Sequence, residues 1–494
     1  MEPAQGQRPP AGRLRLARYL GLSGAAAVAV ASYTAGARQT GQPGPLDWQR
    51  LTTDHGYALG GAAWYLGLAA LLTAWWLARG AGAGWTLTTA ALWTIPVALS
   101  APVASRDIYA YANQGDLYAN GVNPYHFGPA SLPTQWLDQM DDFWFTEPAP
   151  YGPLFIVLSA AIAVLSTSEL TVAVIALRLA ALAGALACVY FVPKLARLAG
   201  VPPASAMWLS LACPLTLIHL VGGAHNEALM LAGVLAALHL AGRGRTWWCA
   251  VALGLAVAVK ATALVAAPFA LLLLVPAPAW SALLAGTVRL ATGTVAVFAA
   301  VTLAAGLDLG WLSALSVSGK SVSWLSPPTG VGISAAKAMF QLGQPAAAEL
   351  MVPAARTVGL LLAAATVSAL WWRARGTPPA AVLAAAGWAF TAVMVLGPVL
   401  LPWYALPPLL LLACAITRRR LVTGVAVVAT VLTVIVYPDG HNIAAENFVK
   451  PGLLLDLALA AAGTVLAWRW WHTSPTTGTV TPAPEPATSR SHPP

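Results

Sequence analysis

Charge is what this chain has least of. Of its 494 residues only 9% are Asp, Glu, Lys or Arg, against 58% hydrophobic residues and a mean hydropathy of +0.70. A soluble domain needs a charged surface, so that class is excluded. Cysteine is also scarce: Cys188, Cys213, Cys249 and Cys414 all lie in apolar runs and form no Cys-X-X-Cys pair. That pattern excludes a disulfide framework or thiolate metal site and leaves small packed side chains. No P-loop and no Gly-X-Gly-X-X-Gly turn between strand and helix is present, so nothing points to nucleotide binding, and an ATP-driven mechanism would need a partner chain. Blocks of basic charge are missing too. The net charge of +9 comes from Lys and Arg placed singly or in small groups at the ends of apolar segments, a topology signal and not a nucleic-acid surface.

What is present is a succession of apolar stretches of about 20 residues, long enough to cross a bilayer as helices; the first three are Leu20 to Gly36, Tyr57 to Ala78 and Trp85 to Ala104. The expected fold is an all-α integral membrane domain, residues 1–472, with about 13–14 transmembrane helices. Arg8, Arg13, Arg15 and Arg18 precede the first run. A signal peptide cut near Ala35 to Ala37 is conceivable, but the many later spans leave no soluble mature protein to release, which favours an uncleaved first span. With those arginines cytoplasmic, the chain emerges outside at Ser105 and begins an external loop, 105–152. That loop carries Asp107, Asp116, Asp138, Asp141, Asp142 and Glu147 against a single Arg106. Lys194 and Arg197 belong inside, so only one of Leu154 to Leu165 and Leu170 to Val192 crosses; the second is assigned, leaving the first as a short helix embedded from outside. Ala206 to Val221 and Ala228 to Ala241 follow. Two short helices meeting near Lys260 fit Trp247 to Val275 better than one crossing, because they keep a second large external loop, 307–352, outside and Arg373, Arg375 and Arg418 to Arg420 inside. The last span is placed at Leu453 to Trp471. The Pro-, Thr- and Ser-rich tail 473–494 reads as disordered, with both termini cytoplasmic. Trp75, Trp76, Trp247, Trp248, Trp371 and Trp372 sit at span ends, as interfacial anchors do.

The polar chemistry gathers on the external side. In Ser105 to Tyr125 (SRDIYAYANQGDLYANGVNPY), Ser105 can cap a helix that Gly121 and Pro124 end. Helical spacing aligns Asp107, Tyr111, Gln114 and Tyr118 on one face and leaves Ile108 and Leu117 to lie on lipid. Asp107 falls in the first turn, where the helix dipole favours the ionised carboxylate and suits it to take a proton from a hydroxyl; a plain capping aspartate is the bland alternative. His225, Asn226 and Glu227 follow two glycines at a span end, either as a hydrated turn or as hydrogen-bonding groups for a sugar. Lys260 is costly inside its apolar stretch unless it meets a counter-charge, for which a lipid phosphate is suited. Arg178 raises the same question, with a helix-to-helix contact as the alternative. Lys320 and Ser326 lie in SGKSVSWLSPPTG, which reads as an ordered loop over a site or as a simple connection.

Arg106-Asp107-Ile108-Tyr109, continuing through Gln114-Gly115 to Gly121-Val122-Asn123-Pro124-Tyr125, resembles the actinobacterial polyprenol-phosphomannose-dependent α-1,6-mannopyranosyltransferases. Tyr151-Gly152-Pro153-Leu154, Gly222 to Asn226, Leu325 to Thr329 and Pro402-Trp403-Tyr404 look like further signature segments of that family, in order along most of the chain. Glu227 departs from the Asp expected after His225-Asn226. The resemblance implies the GT-C architecture, with a periplasm-facing first loop carrying juxtamembrane helices and Asp107 as catalytic base. It also implies polyprenyl-phosphate mannose as donor and an α-1,6-mannan acceptor in lipomannan-type envelope synthesis at the plasma membrane. Arg106, Tyr111, Gln114, Tyr151, His225, Asn226, Glu227, Lys260, Lys320, Ser326 and Tyr404 are the expected substrate-binding residues. No metal or other cofactor is expected; the partners are the sugar lipid, the mannan or lipoglycan acceptor and membrane lipids, with no nucleic acid. The rival readings are transfer of another polyprenyl-phosphate sugar such as arabinofuranose, a transporter or flippase of lipid-linked sugars, and a structural subunit. Acceptor length, oligomeric state and partner proteins leave no mark in the sequence.

Overall fold

A computed structural model of the chain describes residues 9–37, 54–134, 136–167, 169–276, 279–320, 323, 325–441 and 465. These residues form an all-helical assembly, as apolar segments must when no water is present to satisfy a backbone carbonyl or N–H. In chain order the helices are α1 (Ala11–Ala35), α2 (Asp54–Leu77), α3 (Ala83–Ala98), α4 (Asp107–Ala119), α5 (Pro153–Leu165), α6 (Leu170–Leu198), α7 (Pro203–Leu209), α8 (Pro214–Gly222) and α9 (Glu227–Gly242). There follow α10 (Thr246–Val259), α11 (Ala261–Leu274), α12 (Trp280–Ala304), α13 (Gly310–Ala314), α14 (Pro327–Gln341), α15 (Pro345–Ala374), α16 (Pro379–Leu396), α17 (Pro402–Ala413) and α18 (Arg419–Val434).

Among the described residues, six helices are long and apolar enough to cross a membrane: α1, α2 from Ala58, α6, α12, α15 and α16. The chain is a multi-pass membrane protein. The expected crossings between these are shorter or broken. The span expected at Trp85 to Ala104 is the 16-residue α3, with Pro96 near its end. The one at Ala206 to Val221 is the pair α7 and α8, bent by 57°. The break expected near Lys260 is there: α10 ends at Val259, and Lys260 is extended at φ −154°, ψ 129°. The segment expected as a short embedded helix is the 13-residue α5. The span expected at Leu453 to Trp471 and the tail 473–494 lie outside the described residues.

Small residues set the closest helix approaches, as they do where lipid offers no hydrophobic drive. A Cβ on Gly24 of α1 would stand 2.7 Å from the Gly67 carbonyl oxygen of α2, and a Cβ on Gly115 of α4 would overlap the Ser159 backbone of α5. All four cysteines are buried and unpaired, in keeping with packing roles. The tryptophans divide. Trp247, Trp248 and Trp372 are more than half exposed, as anchors should be, whereas Trp75 is fully buried. Its indole N–H donates to the Trp208 carbonyl at 2.7 Å, the Trp208 indole returns the bond at 2.7 Å, and the rings stack. Trp75 is therefore a core residue and not an interfacial one, because burial at that span end is decided by α7.

Two features shape the site end. The chain after α18 turns at Pro438 to Gly440 and lies on the start of the first loop, with the Ala104 N–H donating to the Pro438 carbonyl at 2.8 Å. Gly440 holds φ +101° there, with Ser105 backbone atoms about where a Cβ would touch, so a larger residue would meet both strain and a clash. Arg178 of α6 is nearly buried, and its guanidinium donates to the carbonyls of Ala98 at 3.1 Å, Ser100 and Gly222 at 3.0 Å. It binds the ends of α3 and α8 together, the helix-to-helix alternative, and is not a phosphate ligand.

Candidate active site

A cavity of about 400 Å³ opens where the first loop meets α9, α11, α16 and α17. Asp107 lines it from the first residue of α4. The Ser105 hydroxyl accepts from the Asp107 N–H at 3.1 Å, so it serves the helix start, although the capping position itself is Arg106. The Asp107 side chain is mostly enclosed, 16% exposed, and its Oδ2 stands 3.4 Å from Nδ1 of the fully buried His225.

His225 arrives by an unusual backbone path. The last turn of α8, Leu217–Gly222, is π-helical, a widening often found at functional sites, and Ala224 follows at φ 49°. The His225 ring then stacks on Trp403 at 4.0 Å and 22°. Asn226 and Glu227 open α9. Glu227 is paired with Lys260, whose ammonium also donates to Asn226 Oδ1 at 3.4 Å. The ammonium lies 5.1 Å from the Tyr404 ring and 5.8 Å from that of Tyr151, positions that favour a cation. The extended backbone at Lys260 is compensated, since the Val259 carbonyl accepts from the Gly152 N–H at 3.0 Å.

The expected site residues separate by depth. Arg106, Asp107, Tyr151, Glu227, Lys260 and Tyr404 line the cavity. His225 and Asn226 stand behind, against Asp107 and Lys260. Tyr111 supports Tyr151 edge-on at 5.2 Å, and Gln114 is buried farther along α4. Lys320 is away from the cavity and pairs with Glu147 at 2.7 Å on the exposed side. Ser326 is buried as the N-cap of α14, accepting from the Thr329 N–H and donating to the Gly397 carbonyl at 2.7 Å; its hydroxyl is committed to structure. Ile108 and Leu117 are buried in protein instead of lying on lipid; α5 packs along the side of α4 that carries Gly115. Tyr118 turns away and donates to the Ala305 carbonyl.

The structure adds residues that spacing did not bring forward. Asp141, Trp144, Asp439 and His441 are part of the lining, as are Leu360, Phe390, Val393 and Met394 of α15 and α16. Asp439 and His441 pair with each other at 3.0 Å. Pro438-Asp439-Gly440 is a turn signal legible in the sequence, but its destination beside Ser105 is not. Among the described residues, no three His, Cys, Asp or Glu side chains gather as metal ligands would.

Residues 18–276 match the family described as alpha-(1->6)-mannopyranosyltransferase, N-terminal domain, and residues 328–468 match the MptB C-terminal domain. The chain is 34% identical over 414 residues to alpha-(1->6)-mannopyranosyltransferase A of Mycobacterium tuberculosis, covering 80% of this chain and 79% of that one. It is 31% identical over 418 residues to a probable alpha-(1->6)-mannopyranosyltransferase of Mycolicibacterium smegmatis, with coverages of 76% and 72%. Alpha-(1->6)-mannopyranosyltransferase B of Corynebacterium glutamicum is 31% identical over 377 residues, 70% of this chain and 62% of that one. No solved structure matches.

Proposed function

Because this chain belongs to the alpha-(1->6)-mannopyranosyltransferase family, and is on that footing a membrane glycosyltransferase, we propose that it moves mannose from polyprenyl-phosphate mannose to an α-1,6-mannan acceptor at the outer face of the plasma membrane. The observation that carries this reading is the shared cavity. A carboxylate, Asp107, and a cation, Lys260, line the same space as the apolar Leu360, Phe390, Val393 and Met394. A sugar phosphate on a lipid tail asks for that combination of an ionic anchor and an apolar wall.

With a β-linked donor, one in-line displacement yields the α-linkage. The acceptor hydroxyl oxygen attacks the anomeric carbon, its proton passes to Asp107, and the carbon–oxygen bond to phosphate breaks with its electron pair leaving on the phosphate. The geometry is that of an inverting glycosidase, with a sugar hydroxyl in place of water. The phosphate leaves without needing a proton, so charge stabilisation is the larger demand. An ammonium has three donors; Lys260 uses two on Glu227 and Asn226, and the third is available to a phosphate oxygen. Glu227 acts through Lys260 in this scheme, while Arg106, Tyr151 and Tyr404 bound the sugar. The scarcity of Lys and Arg in the first loop, against Lys194, Arg197, Arg243, Arg245, Arg373 and Arg375 in the loops assigned to the other side, supports the outward orientation.

Purified protein should transfer mannose from a synthetic polyprenyl-phosphate mannose to a short α-1,6-mannoside, and Asp107→Asn should lose at least about 100-fold in rate while still binding donor. Full activity in the variant removes Asp107 as base, and transfer from polyprenyl-phosphate arabinofuranose alone replaces the donor. Transfer should also persist in chelator, since Lys260 supplies positive charge at the phosphate; loss of activity restored by Mg²⁺ would reverse that expectation.

A further inference from the structure

We propose that His225 is a positioning residue for Asp107, holding its carboxylate in orientation through Nδ1–H while making no contact with the sugar. The proposal rests on the reading of Asp107 as the base. Sequence suggests a sugar contact for this histidine, but its side chain is fully buried and it is not among the residues lining the cavity. Both ring nitrogens are enclosed with no hydrogen-bond partner in good geometry, a costly state for a polar group. The carboxylate oxygen 3.4 Å from Nδ1 is an acceptor within reach. That distance is long for a hydrogen bond, as catalytic contacts often are before substrate tightens them.

The ring is locked from several directions. Trp403 stacks on one face, and His219, itself fully buried, stands 5.7 Å from it by ring centre. The His225 N–H donates to the His219 carbonyl at 3.2 Å. A Cβ on Gly223 would lie 2.9 Å from the imidazole Cδ2, so the glycine leaves room for the ring where it is. The left-handed turn at Ala224 is strained for a residue with a side chain and aims the next residue toward α4. In the reaction the acceptor's proton goes to Asp107 and His225 keeps its own. The imidazole fixes which carboxylate oxygen faces the acceptor.

The test is a cycle of four enzymes, wild type, His225→Phe, Asp107→Asn and the double variant, with donor and acceptor KM and kcat measured for each, and His225→Asn as the conservative variant. Phenylalanine keeps the stack on Trp403 and removes the nitrogen; asparagine restores an amide N–H near the place of Nδ1. We expect His225→Phe to lower kcat about 10–100-fold with KM nearly unchanged, and His225→Asn to recover at least about fivefold of the loss. In the Asp107→Asn background the same change should cost less than about threefold, because the partner it serves is gone. Wild-type kcat in His225→Phe overturns the proposal. So does an equal loss in both backgrounds, or a loss that asparagine leaves unrepaired, since either marks a packing role. If Asp107→Asn is itself fully active, the reading of the base fails first and the proposal with it. Should His225→Phe fail to bind donor, His225→Leu, which also removes both ring nitrogens and keeps an apolar side chain, takes its place in the cycle with the same expected pattern and the same overturning outcomes.

Discussion

Lys260 carries a protein counter-charge before any substrate arrives. The carboxylate of Glu227 is almost fully buried and the ammonium only slightly exposed, so removal of either partner strands the other. Lys260→Met should lower stability by about 3–5 kcal/mol, seen as a lower unfolding temperature in detergent. Lys260→Met combined with Glu227→Met should regain much of that stability and still fail to bind polyprenyl-phosphate mannose. Recovery of donor binding in the double variant would remove Lys260 from the site. The lysine was legible in the sequence because a charge in an apolar run is expensive. Its partner was not, since Glu227 sits at the start of a different helix, and the sequence pointed instead to lipid phosphate. Ser326 misled in the opposite sense: a polar residue in a signature segment became a helix cap, because Pro327 and Pro328 start a helix whose first N–H groups need an acceptor.

Helix α4 is the element on which the site hangs. Its limits follow from local chemistry, Ser105 at the start and Gly121 with φ +81° past the end. Its burial does not, because whether Ile108 and Leu117 meet lipid or protein depends on the neighbours that tertiary packing brings, among them α5, which packs flush against Gly115. Gly115→Val would press a branched side chain into the Ser159 backbone, and overpacking of this kind costs about 1–3 kcal/mol. The helix should shift to relieve it, carrying Asp107 out of line, so kcat should fall while the protein still folds. Unchanged kcat with lowered stability would place the strain elsewhere. The same logic explains the tryptophans, where the same kind of span-end position holds both the buried Trp75 and the exposed Trp247.

At the scale of the whole molecule, the segments matched by the two family descriptions close on one cavity, Asp107 and Lys260 coming from one and Phe390 and Tyr404 from the other. Two side-chain clasps tie the first loop to the segment after α12. Lys320 meets Glu147, and Asp308 receives His126 at 2.7 Å, the Gly310 N–H at 2.8 Å and Asn123 at 3.1 Å. The His126 bond and the Gly310 N–H hold the Asp308 carboxyl below its usual range. A depressed carboxylate contributes stability above its unfolded value, about pH 4, and loses it as pH falls through the folded value. The stability difference between wild type and Asp308→Asn should therefore be present at neutral pH, fade in acid below about pH 4, and stay under about 1 kcal/mol because the group is half-exposed. A difference that grows on acidification would contradict this.

Composition alone determined that the chain lives in a membrane as helices, since apolar runs of this length admit no other backbone arrangement. Local pattern determined the carboxylate-bearing helix after Arg106, and the placing of basic groups along the whole chain determined the break at Lys260. Tertiary structure decided what those groups do. Pairing Glu227 with Lys260, stacking His225 on Trp403, folding Gly440 back onto Ser105 and turning Arg178 into a clamp all join residues far apart in the chain, and a buried charge takes its role from the partner that packing brings to it.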